Sequence, residues 1–330
     1  MKAIVHEEKI GIDGVNFKTI SEPELKSNHV KIKMKTAGMN RRDILVTYRR
    51  QEGAPPLILG SDGAGVVDAI GENVTKWKVG DEVIINPGIG WEIKSDVPPE
   101  GYEIVGLPFD GTFSEYTVFH ENQIEKKPQF LTWEEAGVLS LAALTAYRAL
   151  FTRGQLKSTD TVMLPGIGSG VLTFALEFAK AIGARVIVTS RSEAKLEKAQ
   201  KLGADVGILT DSNWNEQLKD ESVDLLIETV GRATFNKSLD IVRRGGTIVT
   251  FGATTEDIVE IDIRKFFYAQ QNILGSTMGS TEELREMLNF IEEHEIRPEI
   301  DQIFSMDQYK EAFNYLKDSQ NFGKIGIRIE

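Results

Sequence analysis

Between residues 161 and 276 the chain repeats one pattern: a short apolar run, then a longer stretch with helical spacing. The apolar runs fall at 161–164, 185–189, 223–230, 246–251 and 272–276. Runs this short, carrying no alternating polar face, are strands buried on both sides. Strands alternating with helices make a parallel sheet covered on each face. The first helix of the series shows the pattern well. Val171, Leu172, Phe174, Ala175, Phe178, Ala179 and Ile182 fall on one stripe. The charged stretch after residue 189 runs as a helix to Gly203. The architecture expected is α/β, with a doubly wound parallel-sheet domain.

The first strand-to-helix junction reads TVMLPGIGSGVL, from Thr161 to Leu172. Gly166, Gly168 and Gly170 leave the strand and open the helix. Glycine lets backbone approach a pyrophosphate closely, and a helix N-terminus offers free N–H groups and a positive dipole end. The same glycines also suit a tight turn that binds no nucleotide, and Leu172 stands where a small residue would ease helix packing. The next strand bears on which reading holds. A reader of NAD places an acid about 20 residues past the glycines, on the ribose 2′-hydroxyl. Here that strand ends TSRS, with Ser190, Arg191 and, one helical turn on, Lys195. A hydroxyl and two cations suit a 2′-phosphate, so NADP(H) is expected over NAD(H).

The first third of the chain has another texture. VKIKM at 30–34 alternates as a half-buried strand. GAGVV at 63–67, VGDEVII at 79–85 and FSEYTVF at 113–119 also read as strands, and residues 86–110 form a long irregular loop containing Trp91. Thr132 followed by Glu135 is a capping-box signature for a helix reaching about Leu150. A charged amphipathic helix is expected over 281–293. The strand-like end of the tail after it is expected to lie outside the parallel sheet.

At 330 residues the chain is long enough for two cores. Its net charge of −12 disfavours nucleic acid and anionic membranes as partners. It has no cysteine, so disulfides, thiolate metal sites and cysteine nucleophiles are all removed. The N-terminus lacks the long apolar core of a signal peptide, and no apolar run approaches the ~20 residues of a membrane span. A cytoplasmic location is the expectation.

Taken in order, GSDGAGVVDAIGENV at 60–74, VGDEV at 79–83, DGTFSEY at 110–116, LTAYRAL at 144–150, the glycine loop, KLGAD at 201–205 and the closing GKIGIRI resemble the medium-chain dehydrogenase/reductase superfamily. Within it, the zinc-independent quinone oxidoreductase-like branch is the nearest in character. The resemblance implies a GroES-like β-rich catalytic domain and a Rossmann NADP-binding domain. The expected segments are 1–122 for the catalytic domain, 123–280 for the Rossmann domain and 281–330 for a return to the catalytic domain. It also implies an active-site cleft between the two domains.

Zinc members carry a histidine–glutamate pair where this chain has Ser61 and Asp62, and a cysteine where it has Asn40. Four histidines, at 6, 29, 120 and 294, show no paired spacing. No metal site is therefore expected.

By the same matching, the segment 37–50 is the substrate side. Asn40 is expected to donate to an acceptor oxygen or else to cap the following helix, Asp43 to orient the loop, and Tyr48 to offer a phenol or remain a surface aromatic. Arg41, Arg42, Arg49 and Arg50 form a basic cluster of open role: attraction of an anion, or a solvated helix face. The cofactor-binding set implied is Thr145, Gly168, Ser169, Gly170, Val171, Ser190, Arg191, Lys195, Val230, Gly231, Phe251, Gly252 and Lys324. The activity implied is NADPH-dependent hydride transfer to a quinone or α,β-unsaturated carbonyl. An enoyl-thioester reductase, or a nucleotide-binding regulator with little catalysis, are the alternatives. The run 270–279 is expected at the edge of the sheet, where it invites a homodimer.

Overall fold

The alternating VKIKM run lies inside an 11-residue strand, His29–Met39, with Val30, Ile32 and Met34 wholly buried and the intervening lysines half-buried. This strand is the centre of a seven-stranded sheet. One side carries Asp62–Ile70, then Glu82–Ile85 and Ile124–Lys126; the other carries Lys324–Arg328 and then Ile300–Ser305. Tyr116–His120 also pairs with it, antiparallel, His29 facing His120. The tail thus joins this sheet, with Ile325 opposite Met39 and Gly326 opposite Gly38. A smaller sheet of Lys2–His6, Val15–Thr19 and Leu57–Ile58 stands beside it.

The computed structural model describes residues 1–330, which divide into two units. Unit 1 is Met1–Leu144 with Gly279–Glu330, and unit 2 is Thr145–Met278. Residues 123–144, expected with the nucleotide-binding domain, therefore group with unit 1. Two contacts explain it. Ile124–Lys126 closes an antiparallel pair with Glu82–Ile85. Gly137, on the helix Trp133–Gly137, lies so close to the central strand that a Cβ there would stand 2.6 Å from the Thr36 carbonyl oxygen. Thr132 and Glu135 form the expected capping box, at 3.2 and 2.7 Å. The helix does not run unbroken to Leu150. It stops at Gly137, restarts at Ser140–Tyr147 and ends in a π-helical turn, Arg148–Arg153.

The irregular 86–110 segment contains one short ribbon, Gly88–Ile89 with Glu103–Ile104. Trp91 anchors it: the ring is 1% exposed and meets Tyr102 edge-on at 5.3 Å. The helix Thr281–Glu293 has its own capping box and buries Leu284, Met287, Leu288 and Ile291.

Unit 2 is built on six parallel strands. Their spatial order is Val206–Leu209, Arg185–Ser190, Thr161–Leu164, Val223–Glu228, Val242–Thr250, Asn272–Gly275. Numbered within the unit this is 3-2-1-4-5-6, the order of a Rossmann sheet, whose ligands lie outside the strand carboxyl ends where the order reverses. The reversal falls beside Thr161–Leu164. The helix Gly170–Ala181 turns Leu172, Phe174, Ala175, Phe178 and Ala179 inward, and Leu172 is fully buried. Asn272–Gly275 is the edge strand, as the sequence leads one to expect.

Candidate active site

In unit 1 the central strand ends at Met39 and the helix Arg41–Arg49 begins at once. Asp43 supports this corner, its carboxylate accepting the Asn40 backbone N–H at 2.7 Å. Asn40 stands at the N-cap of the helix, in a capping box with Asp43, and its side chain also reaches across the fold. Its Nδ2 donates to Asp62 Oδ1 at 3.0 Å, and its Oδ1 accepts from Lys324 Nζ at 2.6 Å. Lys324 also donates to the Met39 carbonyl at 3.0 Å and lies 4.0 Å from Asp62 Oδ2. That oxygen accepts the Leu141 backbone N–H at 3.1 Å. Asn40, Asp43, Asp62 and Lys324 are all buried. Gly38 is required here, because a Cβ would stand 2.5 Å from Asp62 Oδ1.

Taking these charges out of water shapes their protonation. Burial pushes the Asp43 carboxyl up to about 7; the Asn40 N–H bond opposes the shift, and the nearby Asp62 carboxylate adds to it. Burial likewise raises Asp62, against the Lys324 ammonium and the hydrogen bonds it accepts. Burial lowers Lys324, against both carboxylates. With Asp43 protonated, one ammonium faces one carboxylate and each member is hydrogen-bonded, which is how buried ions are tolerated.

Tyr48 is not brought to this cluster. It is 53% exposed on the far side of the helix, packed where Gly11 has no side chain. The arginines are dispersed too. Arg41 donates to the carbonyls of Leu316 and Lys317, closing the C-terminal end of the helix Tyr309–Lys317. Arg42 donates to the carbonyls of Ile104 and Leu107, and Arg50 to those of His6 and Pro55. Three of the four arginines therefore hold backbone, and Arg49 is exposed on the helix surface.

In unit 2, Gly166 and Gly168 take φ of +80° and +128°, conformations that favour glycine. The N–H groups of Gly166 and Ile167 donate to the Thr189 carbonyl at 3.0 and 2.8 Å, tying the loop to the neighbouring strand end. Ser169 caps the following helix through Leu172 N, so Gly170 and Val171 open that helix with N–H groups that have no carbonyl a turn earlier. Ser190, nearly buried, ends the adjacent strand and accepts from Ser192 N; Arg191, just beyond, is exposed. Lys195 lies half-buried in the first turn of the helix Glu193–Lys201.

Val230 and Gly231 follow the next strand, and Phe251 and Gly252 the one after. Thr254 and Thr255 fasten these two strand ends by donating to the Thr229 and Val230 carbonyls. Thr145 is buried in the helix Ser140–Tyr147. Thus the glycine loop, the Ser190–Arg191 corner and the 230–231 and 251–252 turns gather at the carboxyl ends of one sheet. Lys324, expected against a cofactor phosphate, donates to Met39 and Asn40 within unit 1.

Sequence reading missed two carboxylates. Asp62, noted in the sequence only for standing where zinc members carry a ligand pair, gave no sign there of its tie to Asn40. Glu228 is wholly buried and accepts from Val230 N, Gly231 N, Thr234 Oγ1 and Ser238 Oγ at 2.6–3.1 Å. Its signal is an acid closing an apolar strand just before the turn it organises.

Comparison with known proteins agrees with this two-part construction. Residues 26–129 match the alcohol dehydrogenase GroES-like domain, and residues 170–293 the zinc-binding dehydrogenase family. A zinc-type alcohol dehydrogenase-like protein of Schizosaccharomyces pombe is 32% identical, over 100% of this chain and 99% of that one. The chain belongs to the medium-chain dehydrogenase/reductase superfamily. Within this superfamily, the crystal structure of an NAD-dependent alcohol dehydrogenase superposes with a TM-score of 0.93 at 32% identity, covering 100% of both chains. The crotonyl-CoA reductase of Streptomyces collinus is 29% identical, over 88% of this chain and 72% of that protein. An acryloyl-coenzyme A reductase of Sulfurisphaera tokodaii is 27% identical, over 96% of each. The protein is an oxidoreductase of the medium-chain type.

Two groups follow from that membership, and the residues answer differently for each. For a nicotinamide dinucleotide, the glycine loop, the open helix start and the strand-end turns form a fitting cradle. For zinc the donors do not fit. At the superfamily's ligand positions stand an amide, a hydroxyl and a carboxylate. The amide oxygen already accepts from an ammonium that also lies beside the carboxylate. No group of three or more histidine, cysteine, aspartate or glutamate side chains is placed to hold a metal ion.

Proposed function

We propose that this oxidoreductase is an NADPH-dependent, zinc-independent reductase that passes hydride to an activated acceptor, a quinone or an α,β-unsaturated carbonyl. The observation that carries the reading is the Asn40 amide. Its oxygen is held by Lys324 and one N–H by Asp62, while its second N–H has only a long 3.4 Å contact with the Gly38 carbonyl. That N–H is a donor for the oxygen on which charge gathers as the acceptor is reduced. Asp43 holds the backbone from which the amide projects. Because an amide, a hydroxyl and a lysine-paired carboxylate make a poor zinc site, an acceptor that delocalises its own charge suits these residues better than a simple ketone.

The nicotinamide cofactor, when bound, supplies the hydride. Gly168, Ser169, Gly170 and Val171 receive its pyrophosphate, and Val230, Gly231, Phe251 and Gly252 border it. Ser190, Arg191 and Lys195 take the 2′-phosphate. Support for this comes from Ser190 standing at the strand end where a reader of NAD has an acid, with exposed Arg191 beside it.

An enoyl thioester is the second form of acceptor. It is favoured by the likeness to crotonyl-CoA and acryloyl-CoA reductases. Three of the arginines of residues 41–50 are engaged on backbone carbonyls, so they add little to that reading. A homodimer pairing through the edge strand Asn272–Gly275 completes the reading.

The test is cofactor turnover. Loss of reduced-nicotinamide absorbance is followed with a panel of quinones, enones and enoyl thioesters, with NADH in parallel to NADPH. Acceptor-dependent oxidation with NADPH preferred supports the proposal. Cofactor binding with no turnover of any acceptor replaces it with a nucleotide-binding regulator.

A further inference from the structure

The Lys324 ammonium is 3% exposed, and its surroundings belong to the protein itself. It donates to the Met39 carbonyl at 3.0 Å and to Asn40 Oδ1 at 2.6 Å, and faces Asp62 Oδ2 at 4.0 Å. An ammonium can only donate and a carboxylate can only accept. Between Lys324 and Asp62 the Asn40 amide therefore has one allowed orientation: oxygen toward the ammonium, nitrogen toward the carboxylate. Reversing it would set an N–H against an ammonium and a carbonyl against a carboxylate.

The backbone is built to hold Lys324 there. Ile325 pairs with Met39 across the sheet. Gly323, just before the lysine, has φ of +100°, and a Cβ on it would stand 2.3 Å from the Glu299 carbonyl oxygen. The Lys324 backbone N–H donates to that same carbonyl at 2.8 Å.

We propose that Lys324 is a positioning residue for the acceptor site, setting the direction in which the Asn40 amide faces, and that it does not bind a cofactor phosphate. This rests on the reading of Asn40 as the donor to the acceptor oxygen. Without the ammonium, the amide loses one of the two groups that discriminate its ends, and Asp62, the other, loses its counter-charge.

The experiment compares wild type with Lys324→Met and with the double variant Lys324→Met/Asp62→Asn, which removes both buried charges together and so stays foldable if the single variant does not. Three quantities are read: the NADPH dissociation constant by fluorescence, kcat at saturating NADPH, and the Asn40 side-chain amide signals in ¹⁵N spectra, assigned by their loss in Asn40→Asp. The expected result is an NADPH constant within about twofold of wild type, kcat lowered about 100- to 1,000-fold, the scale of a lost oxyanion donor, and displaced Asn40 amide signals. An NADPH constant weakened tenfold or more with kcat retained would overturn the proposal and return Lys324 to a phosphate. Asn40 signals unmoved in both variants would overturn it as well. If wild type turns over no acceptor, the proposed activity fails by itself, while the NADPH constant and the Asn40 signals still decide the role of Lys324.

Discussion

Asp43 offers a test of the buried cluster that needs no substrate. Its carboxyl titrates near 7 in the folded protein against an ordinary value of 3.8. Below the ordinary value both folded and unfolded chains hold the proton, and the group contributes no pH dependence. Between the two values the unfolded chain releases its proton and the native state keeps it. Native protein then binds more protons, and stability falls as pH rises; above about 7 the fall is complete. A shift of about three units corresponds to ~4 kcal/mol, of which about 2–3 kcal/mol develops between about pH 5 and pH 8.

Asp43→Asn cannot ionise, yet it keeps an oxygen for the Asn40 N–H. The variant should lose less stability than wild type over that interval, by roughly that amount. Asp62, Arg42 and Lys324, the charged groups acting on Asp43, are common to both proteins. Urea unfolding followed by tryptophan fluorescence measures it, since Trp77, Trp91 and Trp133 all lie in unit 1. Parallel pH profiles for the two proteins would refute the reasoning, because they would mean that Asp43 is ionised or solvated throughout.

Other consequences are open to simple measurement. Arg191→Ala should weaken NADPH by about 10- to 100-fold, the loss of a charge-assisted bond, and leave NADH within about twofold; equal losses would remove Arg191 from the 2′-phosphate. Exhaustive chelation should leave acceptor turnover intact, and activity lost on chelation and restored by zinc would overturn the metal-free reading. Glu228→Ala should strand the half-buried Val230 and buried Gly231 N–H groups and the buried Thr234 and Ser238 hydroxyls, and cost unit 2 about 3 kcal/mol or more. Trp214, the sole tryptophan of that unit, would report the lowered thermal midpoint. An unchanged midpoint would show that those donors have other partners.

Much of the fold was legible along the chain because it depends on which residues are buried, and burial leaves a period. The run of short apolar strands foretold the parallel sheet, the glycines foretold the loop that needs positive φ, and Thr132 with Glu135 foretold a helix start. The strand-like tail announced its place outside that sheet, and the 270–279 run its place at the edge. What the tertiary structure alone decided is pairing. Asn40 has a side-chain type that caps helices, yet its amide is held by Asp62, 22 residues away, and by Lys324, 284 residues away. Neither separation leaves a periodic trace.

The same holds for the arginines, a basic cluster in one dimension, three of whose four members packing sends to separate sets of backbone carbonyls. Tyr48, a few residues from Asn40 along the chain, is turned outward by the helix that turns Asp43 inward. Local sequence sets which face of an element is buried. Which charge waits on the other side of that face is set only when distant strands meet, because a buried polar group must find its partner wherever the fold supplies one.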